Sequence, residues 1–170
     1  MIHRGGAGRL AAALLVAVAS APGSWATWSI VITDTRTGDV AIGQATCVQN
    51  IDLQALTPGL VTGTGAGTVA GFVDVSGQAR TIIRDAFLAE TPAYEILQVL
   101  AFYEDFEQHQ YSIADVNGFA VTYTGTITQA NGNWFGGQAG RDGDIAYAVS
   151  GNLLTGAPVI DEAVAAILVT

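Results

Sequence analysis

The sequence predicts an α+β protein in which helices cover sheets that are themselves packed face to face. Strand-like and helix-like segments come in blocks, strands, then two helices, then strands, then one helix, instead of alternating. Several strand segments are apolar on both faces, as a sheet buried on both sides requires. The helical segments carry start signals of their own. A length of 170 residues suits one domain.

The first stretch, MIHRGGAGR, carries Arg4 and Arg9 and no acid, and the apolar run LAAALLVAVAS extends from Leu10 to Ser20. That run is shorter than the roughly 20 apolar residues that span a bilayer. A basic leader, a short apolar core and then small residues make the pattern of a secretory signal peptide. An uncleaved anchor and an amphipathic buried helix are the alternatives. Signal peptidases need small residues one and three positions before the cut, which Ser24 and Ala26 supply if the cut falls before Thr27. Ala19 and Ala21 fit as well, but the next residue would then be Pro22, a poor occupant of a protease subsite. The expected organisation is a signal peptide at 1–26 and a mature domain at 27–170, exported to the periplasm or the cell exterior.

TWSIVITD alternates as a strand does, with Thr27, Ser29, Val31 and Thr33 on one face and Trp28, Ile30, Ile32 and Asp34 on the other. A turn from Asp34 to Asp39, with Gly38 available for positive φ, leads into a second strand, DVAIGQATCV. Gly-rich, apolar residues 60–75 read as one or two closely packed strands. Ser76 is the expected N-cap of a helix over QARTIIRDAFLAE, and Thr91-Pro92 opens another over AYEILQVLAFYEDF. HQYSIAD and AVTYTG form a hairpin around Asn117-Gly118. Ile127 to Asp144 is expected to be a loop with room for a short edge strand, IAYAVS is a strand, and Ala157 to Val169 is a last helix. AVAAILVT ends on apolar residues without a cap, so either the chain is truncated there or that surface meets a partner, a homo-oligomer included.

The net charge is −9, and beyond the leader only Arg36, Arg80, Arg84 and Arg141 oppose fifteen acids, with no lysine anywhere. Nucleic acid and anionic membranes, which require a basic footprint, are not expected partners. Cys47 is the sole cysteine, so no internal disulfide forms, and a buried, inert thiol is expected. Gly63-Thr-Gly65-Ala-Gly67 superficially has the glycines of a dinucleotide-binding turn, but the adjoining TVAGFVDV looks like a strand where that turn needs a helix. Close packing is the better account. Asp142 and Asp144 on a turn lack the further oxygen ligands of a calcium loop. Two histidines, His3 and His109, cannot build a multi-histidine zinc site, and His109 has no distinctive serine context for a triad. No metal or cofactor is expected.

Thr27 needs no distant partner for chemistry. A hydroxyl becomes a nucleophile when a base takes its proton, and a threonine at a chain start carries an amine on its own α-carbon. The α-amine has an ordinary pKa of about 7.7 to 8.0, near enough to neutral for modest desolvation to free its lone pair. Export would then also be activation. Against this stands the plain fact that every processed protein must begin with some residue.

Thr27-Trp-Ser-Ile-Val-Ile-Thr-Asp34 and then Thr37-Gly-Asp-Val-Ala-Ile42 resemble the opening of the DUF1028 family, which resembles the Ntn-hydrolase superfamily and whose chains start T-F-S-I-V-A-x-D and then T-G-E-L-G-V. Gln110 on a strand ending at Asp115, the Gly118 turn, Tyr123-Thr124-Gly125 and Ser150-Gly151-Asn152-Leu153-Leu154 before a helix match in the same order. The resemblance implies a four-layer αββα sandwich, with Thr27 as the nucleophile cleaving amide or peptide bonds through an acyl-enzyme. It implies support from Ser29, on the Thr27 face of the first strand, and from Thr46 on its hairpin partner. The Gly125 N–H and the Asn152 amide are the expected oxyanion donors. As ordinary strand and turn residues, Ser29, Thr46 and Asn152 also have a structural reading. Relatives resemble V-A-S-K where this chain has Cys47, carry Arg where it has His109, and continue past the last helix.

The expected function is that of an exported Ntn-type hydrolase of a small amide or peptide, with no membrane contact after cleavage. The competing expectation is a non-catalytic periplasmic or surface domain that keeps the scaffold for binding or assembly. An anchored subunit retaining Leu10 to Ser20 as an assembly helix is a third reading, disfavoured by the Pro22-Gly23 break.

Overall fold

The computed structural model describes residues 26–130 and 133–168. The expected signal peptide therefore lies outside the described residues except for Ala26. Strand β1 (Thr27–Asp34) and strand β2 (Val40–Thr46) form the anticipated antiparallel hairpin. Asp34 shapes its turn, Oδ1 accepting from the N–H groups of Arg36 at 2.8 Å and Thr37 at 3.0 Å. These two main-chain donors, Thr37 first, hold its carboxyl below the usual aspartate range. The thiol of Cys47, just past β2, is exposed rather than buried, because it follows the end of an edge strand.

A single helical turn that apolar periodicity does not reveal, α1 (Leu53–Leu56), is capped by Asp52 Oδ1 accepting from the Ala55 N–H at 3.2 Å. Then β3 (Pro58–Val61) and β4 (Gly65–Gly71) pair antiparallel. The Gly-rich run thus enters a strand, without the helix a dinucleotide turn needs. Its glycines let α2 (Gln78–Leu88) approach the sheet. A Cβ at Gly59 would stand 2.6 Å from the Arg80 carbonyl oxygen, and one at Gly65 would stand 2.4 Å from the Phe87 ring and 2.8 Å from the Ala114 carbonyl oxygen.

Helix α2 begins one residue later than Ser76 as cap implies. Gly77, at φ +71°, precedes it, while Ser76 Oγ still accepts from the Gln78 N–H at 3.2 Å and buried Asp74 accepts from the Arg80 N–H at 3.3 Å. Helix α3 (Ala93–Leu100) starts after Pro92 but stops short of Phe106. Phe106 opens a 3-10 turn instead, its ring stacked on Tyr123 at 4.5 Å and Tyr111 at 5.2 Å, a packing that a continued helix would forgo.

β5 (His109–Asp115) and β6 (Ala120–Thr124) form the expected hairpin, with Gly118 at φ +94°. Asp115 ties it to its surroundings: Oδ1 accepts from the N–H groups of Asn117 and Phe119, Oδ2 from the first N–H of α3 at Ala93, and its carbonyl from the Thr33 hydroxyl at 2.8 Å. The region expected as a loop holds a one-turn helix, α4 (Thr126–Gln129), and a nine-residue edge strand, β7 (Trp134–Asp142). Its glycines mask the alternation, and polar, largely exposed residues suit an edge. β8 (Ile145–Leu154) and α5 (Pro158–Leu168) complete the described elements.

The strands make two antiparallel four-stranded sheets, ordered β2-β1-β8-β7 and β3-β4-β5-β6. Helices α2 and α3 pack on the outer face of the second sheet over Val69, Tyr111 and Ile113, and α5 on that of the first over Val149. The inner faces meet through small and hydroxylated side chains, Val31, Ala66 and Ala114 at one end and Ser112 Oγ to Ser150 Oγ at 2.6 Å nearer the other. The expectation of apolar residues on both faces thus holds for the outer faces and for one end of the inner ones.

Gly65→Ala should lower stability by about 1–3 kcal/mol in urea unfolding, because its methyl group meets a packed ring and a main-chain oxygen. Gly43→Ala, with nothing within 4 Å, should stay within about 0.5 kcal/mol of the parent. Equal midpoints for the two variants would contradict the close approach of α2.

Candidate functional site

Because β1 lies between β2 and β8, its first residue acquires a neighbour from each. The register sets Thr27 opposite Thr46 on one side and opposite Asn152 on the other. Strand pairing alone therefore brings together three of the five residues proposed from sequence. Thr27 is 9% exposed, and its Oγ1 lies 2.9 Å from Thr46 Oγ1. Thr46 Oγ1 also accepts from the Val48 N–H at 3.2 Å, which leaves this hydroxyl one proton and one lone pair to share with Thr27. Thr46 thus orients the Thr27 hydroxyl and is not a base for it.

Thr27 and Asn152 open onto a cavity of about 230 Å³ whose other walls include Val48, Phe72, Val73 and Thr128. Among the described residues lining it, none has a charged side chain. The walls are held from behind. The Phe72 carbonyl sits 2.7 Å from His109 Nδ1, and since a carbonyl only accepts, that nitrogen carries a proton. His109 is buried and stacks on Tyr103 at 6.0 Å, so it braces the wall, and among the described residues it pairs with no serine. Leu153 lines the cavity at φ +55°, a left-handed conformation uncommon for a non-glycine residue.

The other two proposed residues do not line this cavity. Ser29 is fully buried two residues along β1, its Oγ accepting from Gln44 Nε2 at 2.9 Å, and Gln44 in turn meets the Thr57 hydroxyl. Ser29 supports the strand pair beneath Thr27. The Gly125 N–H donates to the His109 carbonyl at 2.9 Å, so it is spent on joining β6 to β5 and does not serve as an oxyanion donor. A Cβ there would lie 2.3 Å from the Glu107 carbonyl oxygen, which accounts for the glycine.

Sequence reasoning missed the backing residues. Phe72 and Val73 read as strand, Thr128 as loop, and no residue type advertises a left-handed leucine. Gln110 was visible only as part of a resemblance, yet its side chain bridges both sheets beside Asn152. Among the described residues no group of three or more His, Cys, Asp or Glu side chains is placed to hold a metal ion, and no helix is long and apolar enough to cross a membrane.

Glu107 fastens the corner that carries Thr128. Its carboxylate accepts from the Thr126 N–H at 2.6 Å, the Thr126 hydroxyl at 2.8 Å and the Tyr123 hydroxyl at 2.9 Å. These bonds, the Thr126 N–H first, hold the carboxyl below its ordinary value of 4.5. A depressed folded-state pKa contributes stability that is complete above the unfolded value and lost as pH falls through the folded one. On acidification below about pH 4.5, the parent should therefore lose thermal stability more steeply than Glu107→Gln. Parallel pH profiles of the melting temperature would refute this role.

Three comparisons bear on kinship. Comparison with curated proteins gives no match. A crystal structure of a DUF1028 protein from Silicibacter pomeroyi is similar in fold, with a TM-score of 0.61 at 18% sequence identity, the match covering 80% of this chain and 58% of that one. The chain thus spans little more than half the length of that solved relative. The model of a family described as of unknown function, DUF1028, matches residues 27–168, so this chain belongs to the DUF1028 family.

Proposed function

We propose that this chain is an exported Ntn-type hydrolase of small amides or peptides, with Thr27 as its nucleophile once residues 1–26 are removed. The observation that carries the reading is the placement of the Thr27 hydroxyl, buried at the end of β1, oriented by Thr46 and opening onto a largely apolar cavity. The family match beginning at residue 27 agrees with the cut inferred from Ser24 and Ala26. Two facing sheets with helices on their outer sides are the layers that a four-layer αββα sandwich of the Ntn type requires.

In this mechanism Thr27 Oγ1 attacks the substrate carbonyl carbon while the α-amine, directly or through one water, takes the hydroxyl proton. The amine then returns that proton to the leaving nitrogen, the C–N bond breaks, and an ester on Thr27 remains for water to hydrolyse. Among the described residues no cation lines the cavity, so desolvation there has to favour the neutral form of the amine. The oxyanion needs a donor other than Gly125. The Cys47 N–H donates to the Ala26 carbonyl at 3.0 Å, and removal of residue 26 releases that donor beside the new chain start. Cys47 N–H with the Asn152 amide is the pair best placed to hold the developing charge.

The uncharged cavity lining also favours a second reading, a non-catalytic periplasmic or surface domain using the same scaffold for binding or assembly. The two are separated by treating protein that starts at Thr27 with a β-lactone acylating probe and reading intact mass. The parent and Thr27→Ser should gain one acyl group, while Thr27→Ala should not. A chain extended by one residue ahead of Thr27 should be inert, because its amine has become an amide. Acylation of Thr27→Ala at the parent rate removes the nucleophile assignment, and an inert parent favours the binding domain.

A further inference from the structure

We infer that Gln110 is the positioning residue of this site, fixing through a one-way relay of amide hydrogen bonds which atoms Asn152 offers to the cavity. The inference rests on the reading of Thr27 as nucleophile for its catalytic consequence and on geometry alone for the relay itself.

Gln110 is fully buried on the inner face of β5. Its Nε2 lies 2.7 Å from Thr124 Oγ1, 3.0 Å from the Gly151 carbonyl oxygen and 3.4 Å from the Gly136 carbonyl oxygen. Main-chain carbonyls cannot donate, so the atom facing them has to be the amide nitrogen and a flipped side chain is excluded. Oε1 therefore faces the other way, toward Asn152, whose Nδ2 donates to it at 3.1 Å. An acceptor at that point dictates the orientation of Asn152 in turn: one of its two N–H bonds is committed to Gln110. A single N–H and the carbonyl oxygen remain for the cavity.

The partners span the molecule. Thr124 is on β6 in the same sheet as Gln110, whereas Gly136, Gly151 and Asn152 are on β7 and β8 of the facing sheet. Gln110 thereby sets both the approach of the two sheets at the Thr27 end and the direction of the one polar side chain opposite Thr27 in the β1–β8 register. With the amide locked, Asn152 presents one donor in one direction, as stabilisation of a charge developing on a substrate oxygen requires. An unlocked amide would exchange its nitrogen and oxygen, so that in part of the population the acceptor would stand where the donor is needed.

The test uses protein starting at Thr27 with asparagine and glutamine side-chain amides labelled with nitrogen-15, beside Gln110→Met and Thr124→Val. In the parent, one Asn152 side-chain proton should exchange slowly with solvent and the other fast. In Gln110→Met both should exchange fast. The limiting rate of β-lactone acylation at Thr27 should drop on the order of tenfold to a hundredfold, with the half-saturating probe concentration unchanged, because Gln110 does not wall the cavity. Thr124→Val leaves the carbonyl partners in place and should keep the Asn152 exchange pattern. Two fast protons in the parent overturn the relay without any variant having to fold. A folded Gln110→Met that acylates Thr27 at the parental limiting rate overturns its positioning role. If the parent is never acylated, the hydrolase reading fails while the exchange pattern still decides the relay.

Discussion

The site depends on one constraint, the antiparallel pairing of β1 with two different partners at once. A strand in the middle of a sheet cannot slip relative to either neighbour without turning its buried residues outward. Thr27, Ser29, Val31 and Thr33 all face inward and are all buried, so the register of β1 against β2 and β8 is held along its whole length. Thr46 and Asn152 reach Thr27 as a by-product of that register. No dedicated loop is needed to assemble the three side chains.

The second layer of control lies between the sheets. Where most face-to-face sheets bury branched apolar side chains, this interface carries alanines at one end and hydroxyl and amide groups toward Thr27. Buried polar groups are costly unless paired, and pairing gives each a single best orientation. Gln110, Asn152, Ser112 and Ser150 therefore give up some generic packing energy for directional definition near the cavity. Asp115 plays the corresponding part at the far end of β5, where one carboxylate satisfies the β5–β6 turn and the start of α3.

Much of the frame was legible in sequence because it rests on periodicity and turn chemistry. The alternation of TWSIVITD identified the inward face of β1, and Asn117-Gly118 identified the β5–β6 turn. Legibility failed where backbone geometry or distant partners decide. The nine residues of β7 are held by pairing with β8, and their glycines erase the alternation that would announce a strand. The helix expected to reach Phe106 stops early because aromatic stacking against β5 and β6 outweighs local propensity. For the site, Thr27 and Thr46 were accessible from the hairpin pattern, Asn152 only through a resemblance, and its pairing opposite Thr27 is a fact of the fold. Gly125 does not join them, since its N–H bonds the His109 carbonyl, a tertiary fact that no local pattern announces. The role of Gln110 is equally invisible without the carbonyls that fix its amide.

The seating of α2 has a consequence for how this chain can vary. At Gly59 and Gly65 the helix occupies the space where a side chain would stand, so sheet and helix touch backbone to ring and backbone to backbone. Divergence at that seam is confined to the solvent-facing half of α2, because a side chain at either glycine would push against the helix. The exposed positions of the edge strand β7 are under no such restriction. Drift in this lineage should therefore accumulate unevenly, with the seam under α2 sterically frozen and that edge free to acquire new contacts.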